Sequence, residues 1–189
     1  MQIQVDKVHG LLEGSRYVPS PNCDARPADT AVSALVIHAI SLPPGEYGGA
    51  DIERLFCNHL DFGCHPFYGE ISGLTVSAHL LIRRDGQVVQ FVPFPARAWH
   101  AGASTLEGRA CVNDFSIGIE MEGSDHAPFE EAQYGALVEV TRALQAAYPG
   151  ITPERIVGHA DIAPERKTDP GPYFNWSRYR HALAQAPSA

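Results

Sequence analysis

The chain has 189 residues, of which 44% are hydrophobic and 19% are charged, and its net charge is −8. This balance is typical of a globular protein with one core. We therefore expect a single domain over residues 1–189, with an irregular lead-in over about residues 1–30. The acidic charge and the lack of lysine or arginine runs argue against nucleic-acid binding, which needs a cationic surface.

The same sequence indicates where the protein acts. The N-terminus has no basic region followed by an apolar stretch, so no signal peptide is expected, and no apolar segment reaches membrane-spanning length. We expect a cytoplasmic protein without membrane association, whose four cysteines stay reduced. No repetitive apolar pattern indicates an obligate assembly, so we expect a monomer.

The predicted elements mix strands and helices. In chain order they are a buried strand over residues 33–38, a helix over 51–60, hairpin strands over 76–83 and 87–92, a strand over 115–122, a helix over 130–148 and a terminal helix around 176–183. The long connection over residues 93–113 is typical of a functional loop. The mixture predicts an α+β or mixed-sheet α/β domain.

The strand over residues 115–122 alternates in character. One predicted face carries Phe115, Ile117, Ile119 and Met121, and the other carries Ser116, Gly118, Glu120 and Glu122. The small residues of the second face leave room for a ligand beside Glu120, whereas Glu122 fits an ordinary surface carboxylate.

Residues 158–171 carry a dense set of reactive side chains, which are His159, Asp161, Lys167 and Asp169. Two glycines and two prolines favour an irregular path over a helix or a strand. A stiff irregular backbone suits a segment that holds several polar side chains around one point.

These residues and His38, at the end of the first buried strand, predict a metal site. Two neutral imidazoles and one carboxylate are the ligand types of a catalytic zinc, with a fourth position open to water. We predict His38 and His159 as ligands. Spacing leaves Asp161 and Asp169 open as the third ligand, with Asp169 better held because Pro170 follows it.

Two further side chains suit catalysis at such a site, although each also fits an ordinary solvated residue. Glu120 is a candidate general base, and Lys167 is a candidate stabiliser of a negative oxygen. A structural zinc site built from Cys57 and His59 with Cys64 and His65 is a weaker alternative, because its spacing matches no zinc motif.

Seven stretches of the chain resemble the zinc-dependent anhydro-N-acetylmuramyl-L-alanine amidases of peptidoglycan recycling. They are residues 36–38, 41–46, 76–79, 81–86, 98–102, 113–120 and 162–172, and the likeness runs from about residue 16 to residue 180. The resemblance implies a central mixed β-sheet flanked by helices, a fold shared with phage lysozyme-type amidases and peptidoglycan recognition proteins. It also implies one zinc ion held by residues that match His38, His159 and Asp169.

The resemblance assigns roles to other residues as well. It implies that Glu120 acts as the base, that Lys167 steadies the transition state, and that His79, Trp99 and His100 lie near the groove that binds a muropeptide. Two alternatives remain: a muropeptide sensor without catalysis, and an amidase that acts on intact peptidoglycan.

Three departures from the family pattern bear on substrate affinity and preference. Ala39 stands where relatives often carry Asn, Thr75 stands where Arg is expected, and residues 109–112, which include Cys111, are less basic than in relatives. Each departure removes a polar or cationic group that could contact sugar or carboxylate.

Overall fold

A computed structural model describes residues 3–185, so the outermost parts of the predicted domain, residues 1–2 and 186–189, lie outside the described chain. Its centre is a six-stranded sheet. From edge to edge the strands are β12 (Ile156–Gly158), β5 (Ala34–Ile40), β11 (Ser116–Glu122), β6 (Leu80–Ile82), β7 (Val88–Gln90) and β3 (Arg16–Tyr17). Only β6 and β7 pair antiparallel, as the predicted hairpin, so the sheet is mixed.

Within residues 3–185, three two-stranded ribbons and five helices accompany this sheet. The ribbons are β1 (Val5–Asp6) with β2 (Leu11–Leu12), β4 (Cys23–Ala25) with β8 (Ala96–Ala98), and β9 (Thr105–Leu106) with β10 (Arg109–Ala110). The helices are α1 (Asp51–Phe56), α2 (Pro66–Glu70), α3 (Glu131–Ala147), α4 (His159–Ile162) and α5 (Trp176–Ala184). Two single 3-10 turns span Val112–Asp114 and Pro153–Arg155.

The two faces of the sheet are buried differently. One face, with Ile117 and Ile119 of β11, forms the largest core cluster together with α3 and α5. The opposite face carries two smaller clusters, one that includes Leu81 and α1 and one that includes Val36. Alternation along β11 decides which side chains reach each face, and this alternation confirms the predicted split for Ile117, Ile119 and Met121.

Strand register places the candidate site residues on the second face of the sheet. In the parallel pairing Glu120 lies beside His38, and Glu120 also lies beside Leu81. Gly158 lies beside Ile37, so His159 follows at the same end of the sheet. Ligands of α/β proteins bind at the carboxyl ends of parallel strands, and the candidate residues meet at this edge.

Three local predictions need correction. Phe115 packs with the Val36 cluster and not with the other alternate residues, because the 3-10 turn before β11 interrupts the strand. The lead-in is not irregular, since it contains four short strands, one of them in the main sheet. Helix α1 ends at Phe56, four residues before the predicted end.

Glu122 is not the surface carboxylate that its position suggested. Its side chain is 1% exposed and accepts hydrogen bonds from Arg83 Nη1 at 2.9 Å, Gly48 N at 2.7 Å and Arg84 N at 3.1 Å. A buried carboxylate needs such partners. Glu122 therefore holds the loop before α1 to the sheet.

Candidate metal centre

Three possible ligand atoms converge at the carboxyl ends of β5 and β12. His38 Nδ1 lies 3.0 Å from His159 Nδ1, and each lies 3.1 Å from Asp169 Oδ2. In a tetrahedral zinc site, bonds of about 2.0–2.1 Å place neighbouring ligand atoms about 3.3 Å apart. Among the described residues this is the one group of three such side chains close enough to share an ion.

Local folding explains why Asp169 and not Asp161 joins the two histidines. His159 opens the one-turn helix α4, and Asp161 folds back so that its Oδ2 accepts from Gly158 N at 2.7 Å. Asp169 lies beyond the turn, and Ala160 N donates to its backbone oxygen at 2.9 Å. The segment 158–171 thus begins with a short helix, which corrects the prediction of a wholly irregular path.

The two imidazoles are suited to bind a cation. His38 is 1% exposed, and burial lowers its pKa to about 4, so it is neutral at physiological pH. His159 Nε2 lies 3.1 Å from the Ala101 carbonyl oxygen, which only accepts, so Nε2 carries the proton and Nδ1 keeps its lone pair. Nitrogen lone pairs and a carboxylate oxygen aimed at one point fit Zn²⁺.

Glu120 borders this centre from the adjacent strand. Burial, with the negative charge of Asp169 as a second cause, raises the pKa of Glu120 well above its ordinary value. Within residues 3–185 its enclosed Oε2 has no hydrogen-bond partner. A buried polar atom without a partner is costly, so its presence beside a candidate metal site makes Glu120 a candidate for a chemical role.

The centre opens into a groove of about 490 Å³. Lys167 lines the groove together with Glu120, and an apolar wall comes from the loop after β5, from α1 and α2, and from the residues after α2. The apolar members of the wall are Leu42, Leu55, Phe56, Phe67, Ile71, Leu74 and Val76. An apolar cleft with few convergent polar groups is typical of a small-molecule site.

The three residues that the resemblance placed near the groove have different surroundings. Trp99 and His100 line the groove. His79 is 0% exposed and lies beneath the groove, where its Nδ1 accepts from Gly118 N at 3.0 Å and its Nε2 faces the Ala96 oxygen at 3.2 Å. Direct contact between His79 and a bound molecule therefore does not fit this structure.

Two residues of the site were missed in the sequence. Asn113 Oδ1 accepts from His100 N and Ala101 N, at 3.2 and 2.8 Å, and thereby holds the backbone beside both candidate histidine ligands. Arg166 Nη2 donates to the Ala101 oxygen at 2.7 Å, the same atom that faces His159. Only the neighbouring motifs in the sequence pointed to them.

The three departures from the family pattern lie at different distances from the groove. Ala39 and Thr75 line the groove, whereas Cys111 is exposed outside it. The structure does not support the alternative structural zinc site. Cys57 Sγ donates to the Pro19 oxygen, whereas Cys64 Sγ donates to Asp61.

The chain belongs to the N-acetylmuramoyl-L-alanine amidase family, whose sequence model matches residues 28–172. The resemblance seen in the sequence is thus confirmed, and so is the mixed sheet flanked by helices. No helix among residues 3–185 is long and apolar enough to cross a membrane.

Within the family the chain is most informatively compared with AmpD proteins. It is 57% identical to the 1,6-anhydro-N-acetylmuramyl-L-alanine amidase AmpD of Enterobacter cloacae, over 93% of this chain and 92% of that protein. A crystal structure of a Se-Met AmpD derivative superposes with a TM-score of 0.91 at 54% identity, over 95% of this chain and 98% of that one. AmiD from E. coli, in complex with anhydro-N-acetylmuramic acid-L-Ala-D-gamma-Glu-L-Lys, gives a TM-score of 0.60 at 31% identity, over 96% of this chain and 65% of that one.

Proposed function

We propose that the protein is a zinc-dependent amidase that hydrolyses the bond between anhydro-N-acetylmuramic acid and L-alanine in muropeptides. One observation carries the proposal: two imidazole nitrogens and a carboxylate oxygen converge in an open groove beside Glu120 Oε2, which has no hydrogen-bond partner among residues 3–185. The names of the AmpD relatives and the AmiD complex support this substrate.

His38, His159 and Asp169 are the proposed zinc ligands. A zinc ion held there supplies Lewis acidity to the scissile carbonyl and to the attacking water. Glu120 takes the proton of that water and delivers it to the departing alanine nitrogen. Its raised pKa suits both transfers, since a general acid–base group works best with a pKa near the operating pH. Lys167 stabilises the negative charge that develops on the carbonyl oxygen.

Substrate contact is proposed for Trp99, which borders the groove. His100 also borders the groove, but its two ring nitrogens face His38 and Ser116. His79 is instead proposed to support the sheet from below. Ala39 and Thr75 make the groove less polar than in relatives with Asn and Arg, so we expect weaker binding of the sugar or carboxylate groups of the muropeptide.

The proposed setting is the cytoplasm, where imported wall fragments are degraded by a monomeric enzyme. The four cysteines are all free thiols, which is the expected state in a reducing compartment.

The test combines metal analysis with product analysis. The parent protein should contain one zinc ion and release free stem peptide from anhydro-muropeptide, detected by mass spectrometry beside a reducing-end muropeptide. Glu120→Gln should keep zinc and lose about 10²–10⁴-fold in turnover. Glu139→Gln, an exposed position on α3, is the matched control and should change neither.

Two results would contradict the proposal. A parental rate in Glu120→Gln would remove Glu120 from the role of base. A zinc-loaded parent protein that binds the muropeptide without cleaving it would establish the sensor instead.

A further inference from the structure

A buried chain of hydrogen bonds runs away from the metal centre behind His38. His38 Nε2 lies 2.9 Å from His100 Nδ1, and His100 Nε2 lies 3.1 Å from Ser116 Oγ. Ser116 Oγ lies 2.7 Å from the Val112 oxygen. His38, His100 and Ser116 are all buried, so water does not replace these contacts.

The protons of this row of hydrogen bonds could point in either of two directions, and the two directions have opposite consequences for metal binding. In one direction the Ser116 hydroxyl donates to His100, His100 donates from Nδ1, and His38 must carry its proton on Nδ1, the atom aimed at Asp169. In the other direction His38 donates from Nε2 and keeps the Nδ1 lone pair. Only the second arrangement leaves His38 able to bind a metal.

The Val112 carbonyl selects the second direction. A carbonyl oxygen cannot donate, so the short contact at 2.7 Å takes the single hydroxyl proton of Ser116. Ser116 Oγ then accepts from His100 Nε2, which leaves His100 Nδ1 to accept from His38 Nε2. One backbone acceptor thereby sets the protons of two rings in sequence.

The backbone around His100 holds the imidazole ring in place between His38 and Ser116. Asn113 Oδ1 accepts from His100 N at 3.2 Å. The ring lies directly over Gly118, where a Cβ atom would come within 2.4 Å of His100 Cγ. A glycine at this point of β11 therefore makes room for the ring and not for a ligand.

We propose that Ser116 and His100 are positioning residues that select the metal-binding tautomer of His38. Groups that donate to or accept from a ligating histidine typically change metal affinity about 10–100-fold when they are removed. The inference rests on the proposed zinc site, but it is independent of the amidase reaction.

The test is a set of zinc dissociation constants, measured by competition with a chelator. His100→Leu removes the acceptor for His38 and should weaken zinc binding about 10–100-fold. His100→Asn places an amide oxygen near the position of Nδ1 and should bind zinc close to the parent value. Ser116→Ala should weaken binding in the parent background but not in the His100→Asn background, where the serine no longer sets the tautomer.

Thr141→Val is the matched control for a lost buried hydroxyl. Thr141 donates to the Leu137 oxygen at 2.7 Å, far from the metal centre, so this variant should lose stability without a change in zinc affinity. Thermal unfolding of each metal-free variant separates a general loss of packing from a specific loss of binding.

Ring nitrogen NMR of the metal-free parent reads the tautomer directly and needs no variant. The proposal expects the proton of His38 on Nε2, and a proton on Nδ1 would overturn it. Parental zinc affinity in His100→Leu would overturn it too, as would equal weakening by Ser116→Ala in both backgrounds. Failure of the parent to bind zinc would instead reject the proposed metal site itself.

Discussion

Glu120→Gln should make the metal-free protein more stable at neutral pH, although it lowers the turnover of the zinc-loaded enzyme about 10²–10⁴-fold. Glu120 Oε2 is enclosed and has no partner in the described part of the chain, and burial raises the pKa of the carboxyl group. A buried polar group without a hydrogen bond costs about 1–3 kcal/mol, and more when it is charged. Because the glutamine amide is also a polar group without a partner, the gain comes only from removal of the charge. We expect about 1–3 kcal/mol of unfolding free energy where the parent carboxyl is ionised, with the melting temperature rising about 2–4 °C for each kcal/mol.

The pH dependence of this gain follows from the direction of the pKa shift. Because the folded pKa of Glu120 lies above its unfolded value, the folded parent binds more protons than the unfolded chain between the two values. Parent stability relative to Glu120→Gln therefore falls as pH rises through that window and is level above it. Below the unfolded pKa both side chains are neutral, and the difference between parent and variant should be smallest.

Urea unfolding of both proteins in a chelator, at several pH values, measures this difference. Glu122→Gln is the matched control two residues along the same strand, and it should lose about 1.5–3 kcal/mol because Glu122 accepts charge-assisted hydrogen bonds. Zinc should reduce the gain in Glu120→Gln, since a nearby cation favours the carboxylate. A variant that is no more stable than the parent at neutral pH, or a gain independent of pH, would refute the reasoning.

Two further predictions concern the segment after β12. Asp169→Ala should lose zinc in elemental analysis, whereas Asp161→Ala should keep zinc and lose about 1 kcal/mol with the hydrogen bond to Gly158 N; zinc loss in the second variant alone would reverse the assignment. Lys167→Ala should keep zinc and lower kcat about 10²–10³-fold by removing charge stabilisation, and a steady-state assay that shows only a raised KM would place Lys167 in binding.

Hydrophobic period and turn chemistry predicted most of the regular structure. The strand that ends near His38 and the long helix α3 appear close to their predicted bounds. The predicted hairpin at Asp85 and Gly86 also forms, but its strands span only three residues each and β6 begins four residues later than predicted. These elements carry their signals locally, in alternation or in a helical stripe. The predicted helix over residues 51–60 began correctly but ended early, since boundaries carry weaker signals than periods.

The lead-in shows what a local pattern cannot predict. Its strands are two or three residues long, too short for a visible period, and β3 exists because it pairs with β7 about seventy residues later. Arg26 is partly buried in the same region and donates to the backbone oxygens of Phe94, Asn113, Asp114 and Ser116. The position of this guanidinium group depends on carbonyl groups that lie about 70–90 residues further along the chain, so no local sequence pattern predicts it.

The two aspartates of segment 158–171 were equivalent in the sequence for a similar reason. Either carboxylate lies close enough along the chain to reach His159. The one-turn helix α4 turns Asp161 back onto Gly158 N, and this hydrogen bond removes it from the metal centre. The resemblance to the family favoured Asp169, and the geometry agrees with that choice because the structure brings its Oδ2 to both imidazoles.

Glu120 and Glu122 show why a functional carboxylate is hard to recognise from one strand alone. Both point to the same face of β11, and the sequence suggested that Glu122 was the exposed one. The structure supplies Glu122 with Arg83 and two backbone N–H groups, whereas it leaves Glu120 Oε2 without a partner in the described chain. A buried carboxyl oxygen without a hydrogen bond lowers the stability of the fold. Selection for stability alone would therefore favour a hydrogen-bond partner for Glu120 or an apolar residue in its place. This isolation agrees with the proposed role of Glu120, because a general base needs an oxygen that is free to accept a proton.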